Sequence, residues 1–321
     1  MQTIERPGID LKWSKSWKAD CKNLQGWYDQ MNQSTLDNLK HYAESGSHPK
    51  DVLRKVREYN PPYKNWERFS LSNDLSIYGL LRLFELEKNG MSGIPFDTNL
   101  ALNAFAAFLT ARTVEFETHN KAQIRLGKPM SNLQMEEVLY CALGMVIGCK
   151  EESAKLTRMY IAAYYKGWIE DTWRYPIFAF ILRLLADYLG EDPLTIHGAP
   201  TEEPIFQALF EHWKIPDPED LALICLAACD YHTRSCKYDT EGEFYSGRWT
   251  RLPIEILLLF KMRQLSGLQN PKLDHPLMNT PLGVLPEEVS FQPNALIQCV
   301  RERMILDGYD EDAIYAESCK D

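Results

Sequence analysis

The stretch PIFAFILRLLADYL, residues 176–189, decides the fold class of this chain. It opens with a proline, ends just before Gly190, and carries apolar side chains on almost every side of the helix it would form. A helix of this kind is surrounded by other helices. Residues 221–229 and 253–260 have the same character, so these three segments should form the core. We therefore predict an all-α protein, a bundle-like body of about ten helices.

The neighbouring segments use related helix-start chemistry. Proline opens the predicted helices 204–213 and 218–231, and a capping-box pattern at Ser131 predicts a helix over 133–147. No alternating run of apolar and polar residues bounded by turns predicts a strand. Residues 268–293 hold several prolines with apolar residues between them, which forbids regular helix. We expect this segment to be an extended, packed loop near the C-terminus.

Charge divides the chain into two parts. Residues 1–130 carry 18 Lys and Arg against 15 Asp and Glu, a net of +3, whereas residues 131–321 carry 17 against 30, a net of −13. An acidic folded surface repels nucleic acid and attracts basic proteins. We predict an N-terminal helical region over 1–130 and an acidic C-terminal helical region over 131–321, with a single continuous body as the alternative.

The distribution of the cysteines and the first residues of the sequence indicate the cellular compartment of the protein. The eight cysteines are scattered through predicted helices of a long, core-rich chain, which is typical of small buried residues in a reducing compartment. The first residues, MQTIER, lack the basic and apolar regions of a secretory signal. The longest strongly apolar run is about half of a bilayer span. These features predict a cytoplasmic protein with no membrane partner.

Diagnostic motifs for catalysis are missing from the sequence, which has no phosphate-binding loop, GxGxxG, HExxH or GxSxG. Four possible metal ligands share one predicted helix face: Cys225, Cys229, His232 and Cys236. One straight helix cannot bring four ligands to one ion, so we predict no metal and no cofactor. The alternative is a helical enzyme, a hydrolase or a metal-dependent enzyme, with a site around His232, Asp230 and His275.

The segment HTRSCKYDTEGEFYSGRW, residues 232–249, joins two apolar helices and mixes aromatic with acidic side chains. Aromatic anchors beside charged groups are typical of protein interfaces. The alternative is a solvated loop whose aromatic residues fold back onto the core. Under the interface hypothesis the contact residues are Asp239, Glu241, Glu243 and Tyr245, with a second set in the acidic C-terminal stretch, Asp310, Glu311 and Asp312.

The stretch EFYSGRW, residues 243–249, followed by LPIE, residues 252–255, at the opening of an apolar helix, resembles the C-terminal helical region of PoNi-type immunity proteins. The resemblance includes a Trp closely followed by a Glu at a buried helix start. Proteins of that family protect bacteria from nuclease toxins of the polymorphic, type VI-delivered kind. The resemblance implies an all-helical, two-part layout and structural roles for Trp249 and Glu255.

The expected function is that of a cytoplasmic bacterial immunity protein that binds a basic cognate toxin and performs no catalysis. A nuclease must carry positive charge to hold the phosphate backbone, and an acidic surface can associate with that charge and occlude it. A helical enzyme and a helical-repeat adaptor are the alternatives. Irregular helix spacing argues against the regular stacking that an adaptor needs.

Overall fold

The computed structural model describes residues 5–10, 12–59, 66–126, 133–134, 137–170, 176–192, 204–236, 244 and 249–320. Within these ranges the chain forms twelve α-helices, one 3-10 turn and one pair of two-residue strands, which confirms the all-α prediction. The elements are α1 (Trp13–Ser45), α2 (Lys50–Tyr59), α3 (Trp66–Met91), α4 (Thr98–Leu126), β1 (Leu133–Gln134), α5 (Val138–Val146), α6 (Lys150–Tyr165), β2 (Ile169–Glu170), α7 (Pro176–Leu189), α8 (Pro204–His212), α9 (Pro218–Ser235), α10 (Ile254–Leu265), α11 (Ala295–Leu306) and α12 (Glu311–Ser318).

Three long helices, α1, α3 and α4, dominate the N-terminal half. The helices α3 and α4 lie directly against each other, because a Cβ added at Gly79 of α3 would lie only 2.9 Å from the backbone oxygen of Ala104 in α4. Glycine at this position allows the two backbones to approach. Every residue of 101–114 except Asn103 is buried, so α4 is covered by neighbours over most of its surface.

Helices α5, α7 and α10 form the centre of the C-terminal half. The sequence predicted α7, α9 and α10 for the core, whereas α5 was not named and Leu223 of α9 is 50% exposed. Every residue of α5 is buried, and so is each of residues 254–263 in α10. The contact between the two halves is close at Gly144, where an added Cβ would lie 2.5 Å from the ring of Phe105 in α4. The core therefore places α5 between α4 and the other central helices.

The expected helix start at Ser131 is wrong. Leu133 and Gln134 instead form β1, which pairs in parallel with β2, and the backbone N–H of Leu133 donates to the carbonyl of Trp168 over 2.8 Å. The helix α5 begins only at Val138. Tertiary pairing with a distant segment overrides the local capping pattern here.

Residues 268–293 form an extended, packed segment, as their proline content predicted. The one short helical element in this segment is the 3-10 turn Pro281–Gly283. The side chain of Leu282 is buried against Gly90 of α3, where an added Cβ would lie 2.4 Å from Leu282 Cγ. The segment therefore covers the end of α3 without adding a helix.

The predicted division of the chain at residue 130 stays a prediction. Helix α4 continues to Leu126, and buried apolar residues from both halves belong to one cluster. None of the helices in the described ranges combines the length and the hydropathy of a bilayer-spanning segment.

Candidate functional site

The acidic residues of the predicted second contact set lie at the turn from α11 to α12. Asp310 caps the N-terminus of α12 through its side chain. Glu311 forms an ion pair with Arg301 over 2.5 Å. Asp312 pairs with Lys155 over 3.0 Å, but its side chain remains 84% exposed. Of the three carboxylates, Asp312 is therefore the one whose charge is both accessible and free of a helix-capping role.

The other predicted contact residues, Asp239, Glu241, Glu243 and Tyr245, lie outside the residues that the structure describes. Within the same loop, Phe244 is described and buried. Its ring packs edge-on against Phe178 of α7, with 6.4 Å between the ring centroids. The side chain of Phe244 therefore packs onto the core. This is the arrangement expected if residues 232–249 are a solvated loop whose aromatic residues fold back, and not an interface.

Many carboxylates of the acidic half are paired with cations. Among the described residues, such pairs are Asp187 with Lys214, Glu191 with Arg158, Glu288 with Lys261, Asp307 with Arg303 and Glu317 with Lys320. Each pair reduces the local excess of negative charge. The net charge of the C-terminal half therefore does not by itself define a contact surface. A contact surface is better indicated by exposed apolar side chains that lie near unpaired or exposed carboxylates.

The exposed side of α11 combines apolar and acidic side chains. Ile305 and Leu306 are 69% and 78% exposed, the two highest values among large apolar side chains in the described ranges. Glu302 lies one helical turn before Leu306 and is exposed. Asp310 and Asp312 follow at the start of α12. We call Glu302, Ile305, Leu306, Asp310 and Asp312 the C-terminal corner.

The local sequence explains why these two aliphatic residues are exposed. Helix α11 buries Ile297, Val300 and Met304, which recur at intervals of three and four and so share its inner face. Ile305 and Leu306 fall out of phase with this stripe and point away from the core. Asp310 and Asp312 were predicted contact residues, but Glu302, Ile305 and Leu306 were not singled out from the sequence, although an aliphatic pair out of phase with a buried stripe is a signal that could have identified them.

A second candidate site is a group of buried polar residues around the C-terminal half of α9. The fully buried carboxylate of Asp230 accepts two hydrogen bonds from Arg6, from Nε to Oδ2 and from Nη2 to Oδ1, each 2.9 Å long. The backbone N–H of Gly8 donates to Oδ2 over 3.2 Å. Burial alone raises the pKa of Asp230, but the hydrogen bond and charge of Arg6 outweigh it, so the pKa is lowered and the group is ionised.

The structure brings His275 to Asp230, with 3.2 Å between Nε2 and Oδ1. Nδ1 of His275 accepts the backbone N–H of Leu277 over 3.1 Å, so the proton of a neutral ring sits on Nε2. Burial lowers the pKa of His275, and the hydrogen bond to Asp230 only partly opposes this. Because the lone pair on Nδ1 is already engaged, this imidazole has no free atom that could take a proton from a substrate.

His232 belongs to a neighbouring pair. Its Nδ1 lies 2.8 Å from Oε1 of Glu255 and its Nε2 lies 3.3 Å from the carbonyl of Thr250. Both partners are acceptors, so the ring carries two protons. Burial lowers the pKa of His232, but the charge of Glu255 outweighs it and the pKa is raised well above its ordinary value. The other oxygen of Glu255, Oε2, has no hydrogen-bond partner among the described residues.

Glu87 of α3 reaches the same region, where its Oε1 accepts the backbone N–H of Arg251 over 2.9 Å. Burial raises the pKa of Glu87 to about 7, although the backbone N–H of Arg251 acts in the opposite direction. Trp249, two residues earlier in the chain, has a φ of 62°, the one positive φ outside glycine in the described ranges. Its ring packs edge-on against Tyr140 at 5.1 Å. The hydrogen bond from Arg251 to Glu87 and the packing of Trp249 on Tyr140 thus fix the backbone that leads into α10.

The side chains of the two buried pairs are not accessible to a molecule in solution. The side chains of Asp230, His275, His232 and Glu255 are fully buried. In the described part of the chain, no group of three or more Cys, His, Asp and Glu side chains could hold a metal ion. Burial raises the pKa of the thiols of Cys225, Cys229 and Cys236, which keeps them protonated. These cysteines are core residues, and the buried pairs hold charge in the interior.

No family model, curated protein or solved structure matches this chain. The functional roles of the C-terminal corner and of the buried pairs therefore follow from the chemistry of their own residues.

Proposed function

We propose that this chain is a bacterial immunity protein that binds a basic nuclease toxin, of the kind delivered by type VI secretion, through the C-terminal corner. The observation that carries the proposal is the strongly exposed pair Ile305 and Leu306, with the exposed Glu302 one helical turn before Leu306 and with Asp310 and Asp312 following in the chain at the start of α12. Exposed apolar side chains rimmed by charge are typical of protein-binding surfaces. The resemblance of residues 243–255 to PoNi-type immunity proteins supports the same class.

The apolar and acidic residues of the corner would have separate roles in binding. Fully burying an aliphatic side chain contributes about 1.5–3 kcal/mol, so Ile305 and Leu306 would supply affinity. The carboxylates would steer the corner towards the cationic surface that a nuclease needs for its phosphate backbone. A cation of the partner can join or replace Lys155 at Asp312, because an exposed ion pair is worth only about 0–1 kcal/mol.

A helical enzyme with a site around His232, Asp230 and His275 remains the second candidate function. The contact of 3.2 Å between Asp230 and His275 favours it. It is the weaker proposal, because Arg6 and the backbone N–H of Leu277 already engage the atoms that would react. Turnover of a small molecule by the wild-type chain, lost in a folded His275→Gln variant, would favour the enzyme.

Co-expression with the product of the neighbouring gene tests the binding proposal. We expect that product to be toxic alone, and the wild-type chain to relieve the toxicity and to form a stable complex with it. The double variant Ile305→Ser, Leu306→Ser should lose both effects while remaining folded. Val284→Ser is the matched control, since Val284 is 61% exposed and lies outside the corner. A harmless neighbour, or full protection by the double variant, would contradict the proposal.

A further inference from the structure

The turn between α1 and α2 buries a histidine against α3. The side chain of His48 is fully buried, with 3.0 Å from its Nδ1 to Oε2 of Glu67 and 3.1 Å from its Nε2 to Oδ2 of Asp74. The backbone N–H of His48 also donates to Oε2 of Glu67 over 2.9 Å. Glu67 and Asp74 both belong to α3 and lie about two helical turns apart. One residue of the turn therefore attaches to α3 at two places.

This geometry requires a charged ring. An ionised carboxylate only accepts hydrogen bonds, so a ring with a carboxylate oxygen at each nitrogen carries a proton on both. Burial alone lowers the pKa of His48, but the hydrogen bonds and charges of Asp74 and Glu67 outweigh it, and the pKa is raised above its ordinary value of 6.5. The imidazolium is therefore the counter-charge of two carboxylates, of which that of Asp74 is itself buried.

The surroundings of this cluster contain several other titratable or charged groups. They are Tyr42 of α1, whose ring centroid lies 5.6 Å from that of His48, its hydrogen-bond partner Asp307, Arg68 of α3, Tyr309 before α12, and Lys50 and Asp51 at the start of α2. Burial raises the pKa of both tyrosines, which keeps their hydroxyls protonated. Arg68 is paired with Glu117, and Lys50 and Asp51 are exposed. The ring of His48 is therefore the group at this contact whose charge changes as pH rises above 6.5.

Helix α2 is held at this contact more firmly than by its own side chains. It packs against α3, but none of residues 50–55 is buried. The chain just before His48 is held separately, because Nδ1 of His41 lies 2.7 Å from the carbonyl of Ser47. Loss of the contacts of His48 would thus free the chain from His48 onwards and leave the end of α1 in place.

We propose that His48 is a pH-sensitive clamp, whose imidazolium holds α2 on α3 and whose loss of one proton releases the helix. A neutral ring donates from one nitrogen only, so the other nitrogen would face a carboxylate oxygen as a second acceptor. The buried carboxylate of Asp74 would also lose its counter-charge, which is costly in the interior. The inference does not depend on the proposed function, because none of these groups belongs to the C-terminal corner.

The direction of the pH dependence follows from the raised pKa of His48 in the folded protein. The stabilisation by the clamp is fully present below pH 6.5 and is lost as pH rises through that raised pKa. An isolated helix of ten residues is marginal in water, so α2 should unwind once it is released. Its amide hydrogens should then exchange with solvent while the core stays folded.

Two measurements on the wild-type protein test the clamp. Titration of the imidazoles by nuclear magnetic resonance gives the pKa of His48, and hydrogen exchange gives the protection factors of the Leu53 and Arg54 amides in α2 relative to Leu257 in α10. This relative protection should fall as pH rises from 6 to 9, by about tenfold for each unit by which the pKa of His48 exceeds 6.5. Constant relative protection, or a pKa of His48 at or below 6.5, would overturn the proposal.

Variants assign the effect to His48. Glu67→Gln keeps an oxygen that can accept but removes one of the two charges, so it should lower the pKa of His48 and reduce the protection of α2 at pH 6 by about tenfold. In His48→Gln the protection of α2 should be low and independent of pH. His212→Gln is the matched control, since Nδ1 of His212 lies 2.9 Å from the carbonyl of Ala208 within α8, and it should keep the wild-type profile. A wild-type profile in His48→Gln would overturn the assignment, because another group would then be responsible.

Discussion

The imidazole of His232 and the carboxylate of Glu255 form a charged pair in the interior, with 2.8 Å between Nδ1 and Oε1 and no exposure of either side chain. The second ring nitrogen faces the carbonyl of Thr250, so both N–H groups of the imidazolium are engaged. A buried charge without its counter-charge is costly, because it has lost its hydration. The pair therefore ties the C-terminal half of α9 to α10 only while the imidazolium of His232 has the carboxylate of Glu255 beside it.

The variant Glu255→Gln tests this dependence. A neutral partner leaves the imidazolium uncompensated, so the pKa of His232 should fall below its ordinary value of 6.5. The variant should then lose stability as pH falls below about 6.5, because the unfolded chain binds the proton more readily. At acidic pH we expect a deficit of about 3–5 kcal/mol relative to wild type. Urea unfolding at pH 5.5 and pH 8 measures it, and parallel pH profiles for the two proteins would contradict the charged pair.

The raised pKa of Glu87 predicts a second pH dependence of the free energy of unfolding. Burial raises its pKa from 4.5 to about 7, so between these values the folded protein holds a proton that the unfolded chain releases. The free energy of unfolding of the wild type should therefore fall, relative to Glu87→Gln, as pH rises from 4.5 to 7. Glutamine keeps an oxygen that can accept the N–H of Arg251. Urea titrations across this range measure the difference, with the exposed Glu44→Gln as control; a constant difference would exclude the effect.

Two helical glycines should respond to alanine in opposite directions. At Gly144 the new Cβ would lie 2.5 Å from the buried ring of Phe105, so Gly144→Ala should cost about 1–3 kcal/mol through overpacking. At Gly26 of α1 nothing lies within 4 Å of the new Cβ, so Gly26→Ala should stabilise by up to about 1 kcal/mol. Thermal unfolding of both variants measures the two changes in stability. If Gly144→Ala caused no loss of stability, the ring of Phe105 would have to move aside.

The charge at Asp312 should affect association with the toxin more than the fold. Asp312→Ala should change the free energy of unfolding by no more than about 0.5 kcal/mol, because the side chain is exposed. It should slow association with the toxin several-fold at low salt, with little change in dissociation, since rim charges act mainly on encounter. The matched control is Asp220→Ala, exposed at the start of α9. Equal slowing by both variants would assign the effect to net charge instead of to the corner.

Sequence patterns predicted the helices best where their start signals are local. Helices α7, α8 and α9 begin at Pro176, Pro204 and Pro218, as predicted, because the fixed φ of proline and its missing N–H act within one helical turn. The capping-box pattern at Ser131 does not start a helix, since Leu133 and Gln134 lie in β1. There the pairing of Leu133 with a segment 36 residues further along the chain decided the backbone conformation.

The candidate sites were predictable in residue type but not in arrangement. His232, Asp230 and His275 were named as one possible site; the structure brings Asp230 and His275 into contact, whereas His232 pairs with Glu255. No sequence pattern links Asp230 to Arg6, which lies 224 residues away, and that contact decides what the carboxylate can do. Ile305 and Leu306 were not singled out from the sequence, and the packing of α11 leaves both side chains exposed.

The order of residues alone thus determined where the proline-initiated helices α7, α8 and α9 begin, which helix faces are apolar and why residues 268–293 contain no long helix. These properties depend on backbone geometry and on side chains a few positions apart. The packed body decided which charges meet in the interior, which protonation states His232 and His275 adopt and which aliphatic side chains stay in water. Those outcomes depend on distances between residues far apart in the chain, and such distances exist only after all the helices have packed together.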